Sequence, residues 1–228
     1  MSNSWLFTIA LSVALVSSAL AECVTYGNCG TEPDTGKPLP CAVNRGPQPL
    51  ESKFLEKACP ALRDPSGKPA PVCCDAKQAE SMVSEFKTLR NLVNEKKYKG
   101  CLLNFQNLVC QAYCSPKQSE FVAINGTSTE ESGKSSATEL VYAVHPSFAE
   151  GLYAACKGVP TRIFGVKLMR FMCGKHGAAK CSPQRFLDFV GSVSSEGGHS
   201  PVKMKFELTK SQYTVGDRKL EPYNPKLI

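Results

Sequence analysis

Twelve cysteines, all after residue 21, are the feature that most constrains the fold of this 228-residue chain. An even number of cysteines in a secreted chain indicates a disulfide framework, here of six bonds. Zinc is the alternative, but no cysteine pairs stand at finger or ribbon spacing with matching histidines. We therefore predict six disulfides, no metal and no cofactor. Cys73 and Cys74 are adjacent and should bond to different partners, because a bond between neighbours is strained.

The beginning of the chain reads as a secretory signal. A mostly apolar stretch from Trp5 to Val16 precedes Ala19-Leu20-Ala21, a small-x-small cleavage pattern. The stretch is shorter than the about 20 apolar residues of a membrane helix. We predict a signal peptide over 1–21, a disulfide-rich domain over 22–212 and an unstructured tail over 213–228.

A glycosylation sequon agrees with secretion. Asn125-Gly126-Thr127 is an N-x-Ser/Thr sequence, so Asn125 is a predicted glycosylation site. The predicted location is the secretory pathway, ending outside the cell or in a lysosomal or vacuolar lumen. The formal net charge is +7, with lysines scattered along the sequence. We expect no nucleic-acid partner, while an anionic membrane surface is a candidate partner.

The stretch from Cys73 to Cys114 holds five of the twelve cysteines and the two longest predicted helices. The first helix begins at Asp75, with Gln78 completing a capping-box pattern, and runs to about Val93. The second spans about Leu102 to Cys114. Gln78 stands one turn before Met82, at the head of the apolar face. Two interpretations of Gln78 stay open: a helix cap, or an amide that binds a ligand.

The remaining elements are shorter, and the predicted class is α+β: a mostly helical domain with a small mixed sheet enclosing an apolar ligand pocket. Leu140 to Val144 fits a helix or a strand, and Ile163 to Met172 fits core or the rim of a cavity. The other predicted elements are helices at Leu50–Cys59, at Ser147–Cys156 and after Ser182-Pro183, strands at Phe121–Ile124 and Val202–Leu208, and a polar surface loop at Asn125–Ser136.

No catalytic set assembles in this sequence. None of the three histidines lies near a nucleophile motif such as G-x-S-x-G. Cys73-Cys74-Asp75 has a faint likeness to secreted phospholipases, but the histidine and metal loop of those enzymes are absent. Striped helices and an aromatic-rich later segment suit an apolar cavity instead. A binding protein is therefore the prediction, and a lipid hydrolase is disfavoured.

From about Glu22 to Leu208 the chain resembles the N-terminal luminal domain of the Niemann-Pick type C1 sterol transporters. The resemblance rests on many cysteine contexts in the same order. They are Cys-Val-Thr-Tyr-Gly-Asn-Cys-Gly at 23–30, Leu-Pro-Cys at 39–41, Cys-Cys-Asp-Ala-Lys-Gln at 73–78, the run from Cys101 to Phe121, Ser147-Phe-Ala, Tyr153-Ala-Ala-Cys and Cys173-Gly-Lys.

The resemblance implies a domain that binds one sterol in a buried pocket, hydroxyl inward, for intracellular or extracellular sterol transfer without catalysis. It also implies a pairing for all twelve cysteines: Cys23–Cys73, Cys29–Cys41, Cys59–Cys110, Cys74–Cys114, Cys101–Cys156 and Cys173–Cys181. The alternative is a secreted disulfide-rich interaction protein that has this fold but no sterol pocket.

The resemblance further assigns site residues. Gln78 would bind the sterol hydroxyl, and Asn28 is the candidate to compensate for Pro40, which replaces a helping Asn. Implied ligand-binding positions are Gln78, Asn28, Ser81, Met82, Glu85, Leu102, Val109, Ala112, Leu140, Tyr142 and Met204, and the implied pocket opening comprises Phe171, Met172, Pro201 and Val202. A soluble sterol-delivering protein of the Niemann-Pick type C2 kind is an implied partner. His176 and Phe186 differ from the usual residues of the surface that would meet it.

Overall fold

This computed structural model describes residues 22–131 and 133–228, which contain both helices and strands. The predicted signal peptide lies outside the described residues. The helices are α1 Ser52–Ala58, α2 Ala76–Leu92, α3 Lys99–Cys114, α4 Gln118–Phe121, α5 Pro146–Cys156 and α6 Pro183–Gly191. The strands are β1 Cys23–Thr31, β2 Pro38–Arg45, β3 Gln48–Leu50, β4 Ala70–Val72, β5 Val122–Thr129, β6 Ser135–Val144, β7 Lys203–Leu208, β8 Tyr213–Val215 and β9 Arg218–Leu220. The predicted α+β class is confirmed.

The main sheet is mixed and has β6 at its centre. Strands β1, β2, β6 and β5 follow one another in antiparallel pairs, and β7 lies parallel to β6. Alternate side chains of β6 point to opposite faces: Leu140 and Tyr142 enter the main core, whereas Val141 and Ala143 enter a second cluster. Because both faces are buried there, the second half of β6, Leu140 to Val144, is a continuous apolar run, which explains why periodicity alone left helix and strand open.

Six disulfides cross-link the chain, and two of them fasten its N-terminal third to α3. They are Cys23–Cys73, Cys29–Cys41, Cys59–Cys110, Cys74–Cys114, Cys101–Cys156 and Cys173–Cys181, the pairing that the resemblance implies. Adjacent Cys73 and Cys74 bond to different partners, as expected. The bond between Cys74 and Cys114 brings the start of α2 to the end of α3, so it sets one end of the space between these helices.

Strands occupy more of the chain than the sequence indicated. β1 and β2 form an antiparallel pair with irregular register inside the segment rich in proline and glycine. The predicted polar loop from Asn125 to Ser136 is wrong, because β5 continues to Thr129 and β6 begins at Ser135. From Ile124 to Thr129 the residues of β5 are alternately half-buried and exposed, because successive side chains of a strand point to opposite faces. Asn125 is exposed in β5, and its glycosylation stays a prediction.

The predicted unstructured tail is also wrong. β8 and β9 form a hairpin that buries Leu220 against the sheet face opposite the main core. Beyond it, Tyr223 makes backbone hydrogen bonds with Ala143 (2.9 Å) and His145 (3.0 Å). The Ile228 N–H donates to Asn104 Oδ1 at 3.0 Å. These contacts are made mostly by the backbone and by isolated side chains, so hydrophobic periodicity in the sequence does not predict them.

Within 22–131 and 133–228, none of the helices combines the length and apolar character needed to cross a bilayer.

Candidate ligand cavity

A cavity of about 610 Å³ lies between α2, α3, α6 and β7. It follows α2 from Gln78 to Leu92, a rise of about 21 Å at 1.5 Å per residue. The end of α3 lies beside Gln78 through the Cys74–Cys114 bond. At the other end, the backbone of Arg162 donates to Leu92 at 2.7 Å and holds the loop that carries Ile163. The cavity therefore has two distinct ends, one next to a buried amide and one next to an apolar loop.

Most of the predicted site residues lie on this cavity. Those on its wall are Asn28, Gln78, Ser81, Met82, Glu85, Val109, Ala112, Met204, Phe171, Met172 and Pro201. The buried members of this set are apolar except for Gln78. Asn28, Ser81 and Glu85 are exposed, so they form a polar rim and not an inner wall. Ligand contact at all of these positions stays a prediction.

Four predicted positions are placed elsewhere. Leu102, Leu140, Tyr142 and Val202 are buried in the main core and do not line the cavity. Tyr142 packs among aromatic rings, with centroids 5.5 Å from those of both Phe121 and Phe206. Phe186 is 1% exposed, so its predicted place on a partner-binding surface is wrong.

Ten further apolar residues line the cavity besides the ligand-binding and opening residues that the resemblance implies. They are Phe86, Leu89, Leu92, Phe105, Leu108, Tyr113, Ile163, Phe189, Val190 and Phe206. Helical periodicity identifies those on α2, α3 and α6 as one apolar face of each helix. Periodicity does not tell a residue that faces a cavity from one that fills a core, so this signal marks the wall without revealing the empty space.

Gln78 is held by three hydrogen bonds at the start of α2. Its Oε1 accepts from the backbone N–H groups of Gly27 (2.9 Å) and Asp75 (3.1 Å). The backbone N–H of Gln78 donates to Asp75 Oδ1 at 2.9 Å, which completes the predicted capping box. Gln78 is 9% exposed and lines the cavity. The helix-cap interpretation is therefore confirmed, but it uses only one end of the side-chain amide.

The other end of this amide, Nε2, makes no hydrogen bond to protein among residues 22–131 and 133–228. The amide orientation follows from chemistry, since only the oxygen can accept from two N–H groups. Gly27 supplies one of these donors from the left-handed region, at φ 64°, where glycine is favoured. The arrangement leaves one fixed hydrogen-bond donor at this end of the cavity, where Asn28 and Ser81 form the polar rim.

A polar link crosses the rim of the cavity. Lys37 Nζ donates to the carbonyl of His199 at 2.6 Å and lies 3.9 Å from the carboxylate of Glu85. Glu85 is 65% exposed in its side chain, so solvent screens this pair and it contributes little stability. The exposure also places the carboxylate at the rim, away from the buried apolar wall.

The phenol of Tyr113 belongs to the cavity wall. Burial raises the pKa of Tyr113 to about 12, and a hydrogen bond with Ser200 partly opposes this effect. The phenol is therefore neutral at physiological pH. Outside the cavity, burial raises the pKa of Tyr142 well above its ordinary value, and its hydroxyl has no protein partner within the described ranges.

Within residues 22–131 and 133–228, no cluster of three or more histidine, cysteine, aspartate or glutamate side chains could hold a metal ion. His145 caps α5, where its Nδ1 accepts from the backbone of Ser147 at 3.2 Å, and His199 lies on the cavity rim.

The known sequences that are similar to this chain belong to one family. A profile described as Niemann-Pick C1 N terminus matches residues 20–228. The NPC1-like intracellular cholesterol transporter 1 of Homo sapiens is 29% identical over 212 residues, which cover 89% of this chain and 15% of the relative. The NPC intracellular cholesterol transporter 1 of Sus scrofa is 26% identical over 213 residues, covering 89% and 16%.

A third relative matches this chain over a similar length. The NPC intracellular cholesterol transporter 1 homolog 1 of Caenorhabditis elegans is 28% identical over 193 residues, covering 80% of this chain and 13% of the relative. The chain thus spans about one sixth of the curated relatives that it matches, at most 16% of their length in these three cases. The match to the family profile over nearly the whole chain places this protein in the Niemann-Pick C1 N-terminal domain family.

Proposed function

We propose that this domain binds one sterol in the cavity, with the hydroxyl next to Gln78 Nε2, and transfers it without catalysis. The observation that carries the proposal is the single fixed amide donor at one end of a cavity with an otherwise apolar interior. A volume of about 610 Å³ lies within the range of roughly 300–1,000 Å³ for small-molecule sites. A sterol has the matching chemistry, since it carries one polar group at the end of a rigid hydrocarbon.

The apolar wall should supply most of the affinity. A sterol buries twenty-odd carbons, and at about 0.8 kcal/mol per CH2 equivalent this amounts to on the order of 15 to 20 kcal/mol before association costs. One hydrogen bond nets roughly 1 kcal/mol, whereas leaving the hydroxyl unpaired costs about 1 to 3 kcal/mol. The wall should therefore set how tightly a sterol binds, and Gln78 should set which end enters first.

The family relationship supports the same ligand class. The relatives named above are cholesterol transporters by name, and none is named as an enzyme. Six disulfides suit an oxidising lumen or the extracellular space, which is where we place the domain. A soluble sterol-delivering protein of the Niemann-Pick type C2 kind belongs to this proposal as a partner.

Equilibrium binding of radiolabelled cholesterol to the purified protein tests the proposal. Saturable binding of one sterol per chain, displaced by unlabelled sterol, is the expected result. Absence of saturable binding would favour an interaction protein without a sterol site. Turnover of lipid esters by the same preparation would instead favour a hydrolase.

A further inference from the structure

The loop between α5 and α6 presents large apolar side chains to solvent at the mouth of the cavity. We call residues 160–172 the mouth loop. Phe164 at its tip is 96% exposed, and Ile163 and Phe171 are each 47% exposed. These three are the most exposed large hydrophobic side chains of the described residues apart from two at the C-terminal end. Ile163 and Phe171 also line the cavity, as does Met172.

The exposure of Phe164 is part of a defined turn. Thr161 and Val166 are joined by a backbone hydrogen bond of 2.7 Å, and Leu168 N–H donates to Val159 at 2.7 Å. The Thr161 hydroxyl donates to the carbonyl of Ile163 at 3.0 Å. Phe164 has φ 53°, a left-handed conformation that costs energy for an aromatic residue. The fold therefore holds an aromatic ring outward at a backbone position better suited to glycine or asparagine.

The segment around the mouth loop carries positive charge only. Between residues 157 and 187 every ionisable side chain other than one histidine is cationic: Lys157, Arg162, Lys167, Arg170, Lys175, Lys180 and Arg185. No aspartate or glutamate occurs there, and the seven cations equal the whole formal net charge of +7. All seven are exposed, and none belongs to an ion pair within 22–131 and 133–228. Although lysines are scattered along the sequence, residues 157–187 therefore form one strongly cationic segment.

We propose that the mouth loop docks this domain on anionic lipid bilayers. Phe164 and Ile163 would enter the interface between headgroups and acyl chains, while Arg162, Lys167 and Arg170 contact acidic headgroups. A bilayer accommodates a convex apolar tip without a shaped pocket, and apolar insertion combined with cationic contacts is how peripheral proteins bind membranes. Another protein would need a complementary acidic and concave surface, so the shape and charge of the tip favour lipid.

Docking in this orientation turns the cavity mouth toward the lipid. Ile163, Phe171 and Met172 belong to both the docking surface and the cavity wall. A ligand could then pass between the cavity and the bilayer along a path lined by apolar side chains. This consequence for transfer rests on the proposed sterol function, whereas docking itself does not.

Co-sedimentation with vesicles tests docking. The protein is mixed with vesicles of phosphatidylcholine alone, or of phosphatidylcholine with phosphatidylserine. We expect binding to the anionic vesicles that weakens as salt is raised. Phe164→Asn should lower the partition coefficient by at least about tenfold. It should not unfold the protein, because asparagine tolerates left-handed backbone and the ring makes almost no contacts. The double change Arg162→Gln and Lys167→Gln should lower it by about fivefold per charge.

Matched changes on other surfaces provide the controls. Lys210→Gln with Lys219→Gln removes two exposed cations at the C-terminal hairpin, on the opposite face of the sheet. Leu227→Asn removes an apolar side chain that is 43% exposed. Both controls should retain wild-type vesicle binding within about twofold. Binding of Phe164→Asn equal to wild type, or no binding of the wild type to anionic vesicles, would overturn the proposal. Vesicle binding by a protein that binds no sterol would leave docking standing and remove the proposed function.

Discussion

Replacing Gln78 by alanine tests both tasks that the structure gives to this side chain. Oε1 caps the start of α2 by accepting from Gly27 and Asp75, and Nε2 is available to the cavity. The variant removes both tasks at once. We therefore expect a loss of stability and a separate loss of sterol affinity, each with its own magnitude.

The stability loss follows from the two bonds to Oε1, at 2.9 and 3.1 Å. Each nets roughly 1 kcal/mol, so the free energy of unfolding should fall by about 2 kcal/mol. For a chain of this size that corresponds to about 4 to 8 °C in Tm. The affinity loss is the cost of leaving the sterol hydroxyl unpaired, about 1 to 3 kcal/mol, or roughly 5- to 150-fold in Kd.

The assay compares three ligands with the wild type and Gln78→Ala. Nε2 donates, so a sterol with a 3-ketone, which only accepts, should bind the wild type about as well as the 3-hydroxyl sterol. A sterol analogue without oxygen at this position should bind more weakly to the wild type. The analogue without oxygen should bind Gln78→Ala more tightly than the alcohol and the ketone do, because it leaves no polar group unpaired there. Competition against labelled cholesterol gives all six constants.

Asp75→Ala is the matched control. It removes the other half of the capping box but leaves both bonds to Oε1, and Asp75 does not line the cavity. It should lose about 1 kcal/mol of stability and keep wild-type sterol affinity. Unchanged sterol affinity in Gln78→Ala would refute the assigned role, as would much weaker binding of the ketone than of the alcohol to the wild type.

Three further predictions test the cavity, its packing and its titration. Ala112→Trp should abolish sterol binding by filling the cavity, as measured with labelled sterol on protein whose fold is checked by circular dichroism; unchanged affinity would place the site elsewhere. Gly191→Ala should destabilise the fold by about 1 to 3 kcal/mol in denaturant titration, since its Cβ would collide with the backbone carbonyl of Met204; an unchanged midpoint would contradict this packing. Tyr113 keeps its proton in the folded state to about pH 12, so between about pH 10 and 12 the unfolded state binds fewer protons and stability should fall by about 1.4 kcal/mol per pH unit, a trend that Tyr113→Phe should reduce.

The helices could be predicted because their signals are local. Asp75 and Gln78 form the capping box that the sequence indicates, and α2 ends one residue before the predicted Val93. β1 and β2 escaped prediction because they contain glycine or proline, and because disulfides hold them to each other and to Cys73. The C-terminal hairpin escaped because long-range backbone bonds position it, such as those between Tyr223 and Ala143 or His145.

The site could be predicted only in part, for a related reason. The place of Gln78 at the head of an apolar stripe indicated its position, but one of the two bonds that orient its amide comes from Gly27 on a distant strand. Leu140 and Tyr142 match the family pattern for wall residues, yet here they pack inside the core. Neighbouring side chains decide whether an apolar residue faces empty space, and that information is not local in sequence. The exposure of Phe164 also depends on the turn and not on its residue type.

A crystal structure of this protein with cholesterol bound would test the proposed binding mode. We expect one sterol between α2 and α3, with its hydroxyl oxygen about 2.7 to 3.2 Å from Gln78 Nε2 and its hydrocarbon tail toward Phe171 and Met172. A sterol bound outside this cavity, or one inserted with its tail against Gln78, would contradict it.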